Sequence, residues 1–192
     1  MKKTIFLSAI AMTLLACNPS NPLLEAPETP YGVPAFDQVK IEHYMPAFEA
    51  AIAEQKAEID AIVTNPSEPT FDNTIVALDR TGMLLERVSG VFFNVLEADG
   101  NDEMNAIAEQ VSPMLSELSD GIILNDQLFQ RVKAVYDQRE HLGLNAEQMR
   151  LTTETYKMFA DNGANLPADK KERLKEINKE LESGKQLSEY DI

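Results

Sequence analysis

Cysteine is nearly absent from this chain: Cys17 is the only one among 192 residues. A single thiol excludes an internal disulfide and any thiolate metal cluster. Tryptophan is missing and the aromatic share is 7%, so a core has to be largely aliphatic, which the 44% hydrophobic content permits. Basic residues are scarce as well, with 17 Lys and Arg against 32 Asp and Glu and a formal charge of −15. That balance argues against nucleic acid as a partner, because phosphate contacts call for a basic patch. The acid excess reads as solvated helix faces. Period-two alternation of strand length is lacking, as are hairpin turns between β-branched runs and any repeat of fixed length. An all-α fold is expected.

Catalytic signatures are equally sparse. Histidine occurs twice, at His43 and His141. A zinc-peptidase helix needs HExxH, two imidazoles one turn apart with a glutamate beside the first to act as base. His43 is followed by Tyr44-Met45-Pro46 and His141 by Leu142-Gly143, so neither begins that motif. His43 reads as a structural or surface residue, and so does His141, favoured by the dipole at a helix C-terminus. There is no G-x-S-x-G and no local Ser/His/Asp arrangement. The acidic pairs Glu58/Asp60 and Asp102/Glu103 read as solvated positions. No catalytic residue and no metal ligand is assigned.

What is present begins with an address. Met1-Lys2-Lys3 is a short basic start, and Thr4 to Leu15 is an apolar run too short to cross a bilayer, the layout of a secretory signal. It ends in Leu14-Leu15-Ala16-Cys17, which looks like a bacterial lipobox. There a cysteine preceded by a small residue is diacylated and becomes the mature N-terminus. Residues 1–16 are expected to be removed and Cys17 to be the lipidation site of a cell-envelope lipoprotein facing the periplasm or exterior. An ordinary signal peptide with a coincidental cysteine is the alternative. Without Lys2 and Lys3, 15 basic residues face 32 acids, so the mature body carries −17. Anionic lipid does not attract such a body, and the acyl chains have to hold it. Residues 17–35 carry Pro19, Pro22, Pro27, Pro30 and Pro34, which predicts an extended tether keeping the body clear of the membrane. Recognition of the Pro-rich run by a partner is the weaker alternative.

Residues 36–182 read as helical. Helix one is predicted from Glu42 to Val63 with Met45, Phe48, Ile52, Ile59 and Ile62 inward and Pro46 tolerated near its start. Thr70 caps a long helix to Ala98 in which Phe71, Ile75, Leu78, Leu85, Val88, Phe92 and Val95 recur at helical spacing, with Gly82 in the one gap. Its flanks are apolar too, so it is expected to be the central rod. Asn101 caps the next helix, whose inward face runs from Met104 to Ile122, with a kink or short break near Val111–Ser112 ahead of Pro113. Asn125 caps a helix through His141 closed by Gly143, Asn145 one through Ala160 ended by Gly163. Pro167 to Glu182 is the last, with Leu174, Ile177 and Leu181 facing in.

Three stretches, NPLLEAPETPYGVPAFDQVKIEHYMPAFEAAIAE (21–54), PTFDNTIVALDRTGMLLERVSGVFFNVLEAD (69–99) and LFQRVKAVYDQREHLGLNAEQMRLTTETYKMF (128–159), followed by LKEINKEL (174–181), resemble the N-terminal region of the thimet oligopeptidase family of zinc metallopeptidases, and within it the bacterial peptidyl-dipeptidases. The resemblance implies a multi-helix N-terminal domain of a longer enzyme that hydrolyses short peptides in a channel between helical lobes and releases C-terminal dipeptides. It implies zinc for the catalytic half, which lies beyond these residues, so no cofactor is assigned to this chain and it is expected to be inactive alone. Residues 183–192 (SGKQLSEYDI) lose the resemblance, and a truncated or frameshifted reading frame diverging near Ser183 is expected. Two other readings stay open: a non-catalytic helical lipoprotein binding a peptide or protein partner, and a split enzyme whose catalytic half is a separate chain. If part of the enzyme is missing, helices one and two are expected to expose apolar faces.

Overall fold

The computed structural model describes residues 21–27 and 29–190. The expected signal segment and Cys17 lie outside them. Tyr44–Val63 (α1) is the helix on which the rest is assembled. A 3-10 turn at Ile41–His43 leads into it, and Pro46 falls in its first turn, where no intrahelical donor is needed. Its buried positions form two groups at helical spacing: Tyr44, Ala47, Phe48, Ala51 and Ile52, then Ile59 and Ile62. Half-buried Gln55 and Glu58 separate them.

Each group is the wall of its own core. The first core joins the front of α1 to Leu85, Val88, Val91 and Phe92 of Met83–Asp99 (α3) and to Met104, Val111 and Leu118 of Asp102–Ile123 (α4). The second joins the back of α1 to Ile75, to Leu128, Phe129, Val132 and Val135 of Asp126–Gln138 (α5), and to Phe159 of Ala146–Asp161 (α6). Among the described residues there is no strand, and no helix is long and apolar enough to cross a membrane.

The stretch from Thr70 to Ala98 is not one rod. It opens as a π-helical segment, Phe71–Val76, passes through the short Ala77–Asp79 (α2), breaks at 80–82 and restarts as α3. Thr70 does cap it: its hydroxyl oxygen accepts from Asn73 N–H at 3.1 Å, while the Asn73 side chain accepts from Thr70 N–H at 2.8 Å. The break has a tertiary cause. Gly82 sits at φ 76, and its N–H donates to Glu58 Oε2 of α1 at 2.8 Å. A Cβ there would lie 2.5 Å from the Gln55 side-chain amide. The polar waist of α1 therefore meets the chain where it passes from the second core to the first. Glu58 is a structural acceptor, not a solvated acid. The central element is α1, and Met83, expected within the rod, is 67% exposed.

α4 runs through Pro113 without the expected break. Pro113 gives no N–H to the ladder, and just before it Ser112 Oγ donates to Ala108 O at 2.8 Å. Asn101, Asn125 and Asn145 cap α4, α5 and α6 as predicted, each accepting from the N–H three residues on, at 3.0, 2.9 and 2.9 Å. α5 yields to a 3-10 turn, Arg139–His141, before Gly143. The last helix, Ala168–Tyr190 (α7), passes the expected stop at Glu182. Its apolar side is only partly used: Leu174 is half-buried, whereas Ile177 and Leu181, expected to face in, are exposed.

The segment read as a free tether is docked at its start, through Asn21 and Leu23. Leu23 belongs to the first core, and Arg87 Nη2 donates to its carbonyl at 3.1 Å. One apolar side chain is enough to hold this part of the Pro-rich run, because α1 and α3 leave a place for it. Apart from Met83, the large exposed apolar residues among those described lie on this arm (Leu24, Tyr31, Val33, Phe36), on α6 (Met158), on α7, and in the turns at Leu142 and Leu166. The expected bare faces of helices one and two are instead packed on each other.

Candidate functional site

α1, α4 and α7 leave a groove of about 730 Å³ between them. Lys56 and Asp60 of α1, Glu117 and Asp120 of α4, and Lys175 and Lys179 of α7 line it, together with Ile59, Leu118 and Ile122. Charges of both signs thus alternate around a partly apolar lining. Asn178 Nδ2 donates to Asp120 Oδ1 at 2.9 Å and ties α7 to α4. Two turns earlier on α7, Lys171 is 4% exposed and pairs through Nζ with Asp126, the first residue of α5. The Lys171 stem is buried while its ammonium reaches a carboxylate that is itself favoured at a helix N-terminus.

The lining of the groove carries no histidine or cysteine. Tyr44 and Lys133, whose protonation the fold does move, lie elsewhere. Burial pushes the Tyr44 phenol above its ordinary range. The hydrogen bond to Asp137, at 2.5 Å, raises Lys133.

The two histidines stay apart, in the 3-10 turns that open α1 and close α5. His43 Nδ1 accepts from Lys40 N–H at 3.0 Å, and its carbonyl accepts from Asn21 Nδ2 at 2.7 Å, so it locks the entry to α1. His141 is exposed. Asp102 and Glu103 occupy the exposed first turn of α4, where the dipole favours acids. Among the described residues no group of three or more His, Cys, Asp or Glu is placed to hold a metal. The donor set does not fit the zinc that the family resemblance implies. Sequence reasoning missed the groove, since nothing in α7 announces which helices it meets. It also missed Lys171, for which the one cue was a lysine on the apolar side of a helix.

No protein-family model matches the chain. Among curated proteins, the oligopeptidase A of Salmonella typhimurium is 27% identical over 170 residues, 88% of this chain and 24% of that protein. The chain is thus similar to the oligopeptidases along nearly all of its length. Identity rises to 44% over 172 residues, 90% of this chain, with the dipeptidyl carboxypeptidase of the same organism, and to 45% over 160 residues with that of Escherichia coli. The chain spans about a quarter of the length of these relatives, 25% and 24%. Its homologues are thus the dipeptidyl carboxypeptidases and, at lower identity, the oligopeptidases A and a thimet-like oligopeptidase of Dictyostelium discoideum.

Proposed function

We propose that these residues form the helical scaffold of a lipid-anchored peptidase of the dipeptidyl carboxypeptidase type. The whole enzyme would hydrolyse short peptides, removing dipeptides from the C-terminus, with a zinc site contributed by residues other than these. The observation that carries the reading is identity of 44% across nine-tenths of the chain to a peptidase about four times as long. The absence of HExxH from the 192 residues supports assigning the chemistry elsewhere. Anchoring through Cys17 in the bacterial cell envelope rests on the lipobox alone.

The test is direct. The purified mature chain, given zinc and a blocked tripeptide or tetrapeptide, is expected to show no turnover. Chelator-sensitive hydrolysis would overturn the reading. Co-purification with a separate chain carrying HExxH would turn it into the split-enzyme form. Labelled fatty acid should enter the wild-type chain and not Cys17→Ala. The groove among α1, α4 and α7 favours a second reading, a non-catalytic lipoprotein that binds a peptide or protein segment. Saturable binding of short peptides by the chain alone, reduced by Lys56→Glu, would support it.

A further inference from the structure

The arm before α1 is clamped at its start and bare further along. Asn21 Nδ2 donates to the His43 carbonyl at 2.7 Å, and Asn21 Oδ1 accepts from Leu23 N–H at 3.0 Å. Leu23 is 3% exposed in the first core, and its carbonyl is held by Arg87. Past this clamp, Leu24, Tyr31, Val33 and Phe36 stand open to solvent, at 38%, 102%, 49% and 52%. Tyr31 is presented by a 3-10 turn, Pro30–Gly32, in which it adopts φ 64.

Only three residues separate Asn21 from Cys17. The four steps of chain between them reach at most ~14 Å, whatever their conformation. Acyl chains on Cys17 would place that residue at the lipid headgroups, a layer about 5–8 Å thick on each side of the hydrocarbon. The clamp at Asn21 leaves no slack for a domain standing clear of the bilayer.

We propose that Leu24, Tyr31, Val33 and Phe36 of the arm form a membrane-docking surface that enters the headgroup layer of the bilayer holding Cys17. This rests on the reading that Cys17 is lipidated. Tyrosine suits that depth because its ring is apolar and its hydroxyl stays wet. In sequence the acids Glu25, Glu28 and Asp37 are interspersed with and follow these apolar residues, so the partner is zwitterionic lipid rather than an anionic surface.

The test uses the full lipoprotein in vesicles of phosphatidylcholine and phosphatidylethanolamine that carry a lipid quencher at headgroup depth. Because the chain has no tryptophan, Tyr31→Trp introduces a single reporter, and Met158→Trp on α6 is its control. Tyr31 is fully exposed, so the first variant should fold normally. Emission from Tyr31→Trp is expected to shift to the blue and to be strongly quenched, with little change for Met158→Trp. Vesicle flotation reads the anchor separately. Protein that floats while Tyr31→Trp stays red and unquenched overturns the docking and leaves the anchor intact. A blue-shifted reporter that the lipid quencher does not reach means that protein covers the arm, and also overturns it. Flotation unaffected by Cys17→Ala sinks the anchor and the docking together.

Discussion

The two cores solve the same packing problem with different ring geometry. In the first, the rings interlock edge to face: Tyr44 on Phe92 at 4.9 Å and 68°, Phe48 on Phe92 at 5.3 Å and 87°, and Phe92 on Phe93 at 5.0 Å and 75°. In the second they lie nearly parallel: Phe159 with Phe129 at 6.1 Å and 20°, Phe129 with Tyr156 at 5.8 Å and 23°, and Tyr156 with Tyr136 at 3.9 Å and 8°. That row leads from buried Phe159 to half-buried Tyr136, over which the Arg139 guanidinium sits at 3.8 Å. The first cluster ties α1 to α3 in several directions at once. The second lies between α5 and α6 and ends in a polar, solvent-reaching group. Edge-to-face and offset-stacked pairs are both favoured ring geometries, each worth about 0.5–1.5 kcal/mol beyond the buried area.

Substitutions can break or sharpen that contrast. The largest effect is expected for Phe48→Ala, a loss of about 3–5 kcal/mol in denaturant unfolding. Amide exchange should then quicken in α1 and α3 far more than in α6. Equal quickening in α6 would mean that the cores open as one unit. Next comes Gly82→Ala, which places a Cβ against Gln55 at positive φ and should cost about 1–3 kcal/mol by thermal unfolding. Because it strikes the boundary between the cores, it should loosen both.

Arg139→Ala should cost about 0.5–1 kcal/mol, through loss of the cation–π contact, and should quicken exchange in α5 without touching α3. The smallest effect at neutral pH is Tyr44→Phe. An unfolded phenol loses its proton near pH 10, and the folded one higher. This contribution to stability is whole below the unfolded value and is lost as pH rises through the folded one. Tyr44→Phe should therefore flatten the alkaline limb of a stability–pH curve. An unchanged limb would show that Tyr44 ionises as readily folded as unfolded.

Much of the helical plan was legible because it is local. Asparagine at a cap and glycine past a helix end act within one turn, so Asn101, Asn125, Asn145, Gly143 and Gly163 announced their helices correctly. The interruption at Gly82 was not legible, because a glycine inside a helical pattern costs only ~1 kcal/mol. The deciding partners, Gln55 and Glu58, are on another helix. The docking of Leu23 was hidden for the same reason: a lone leucine among prolines reveals nothing until α1 and α3 make a place for it. α7 misled in the other direction, since its apolar spacing promised burial for Ile177 and Leu181 that the described residues do not provide. At the site, His43 and His141 fall in the 3-10 turns that open α1 and close α5. The groove needed three helices from distant parts of the chain, and no local pattern encodes it.

That one helix walls both cores also sets the order in which they are able to close. Whenever the chain emerges N-terminus first, α1 is available before any of its helical partners, with Leu23 of the arm ahead of it. The first core is complete once Leu118 is out, but the second waits for Phe159 and Ala164. In the interval Ile59 and Ile62 have no permanent cover beyond Ile75 and its neighbours, and they are the surface that a chaperone or a misplaced helix would find first. A nascent chain arrested between those two points should be half native, with its first core formed and the back of α1 still open.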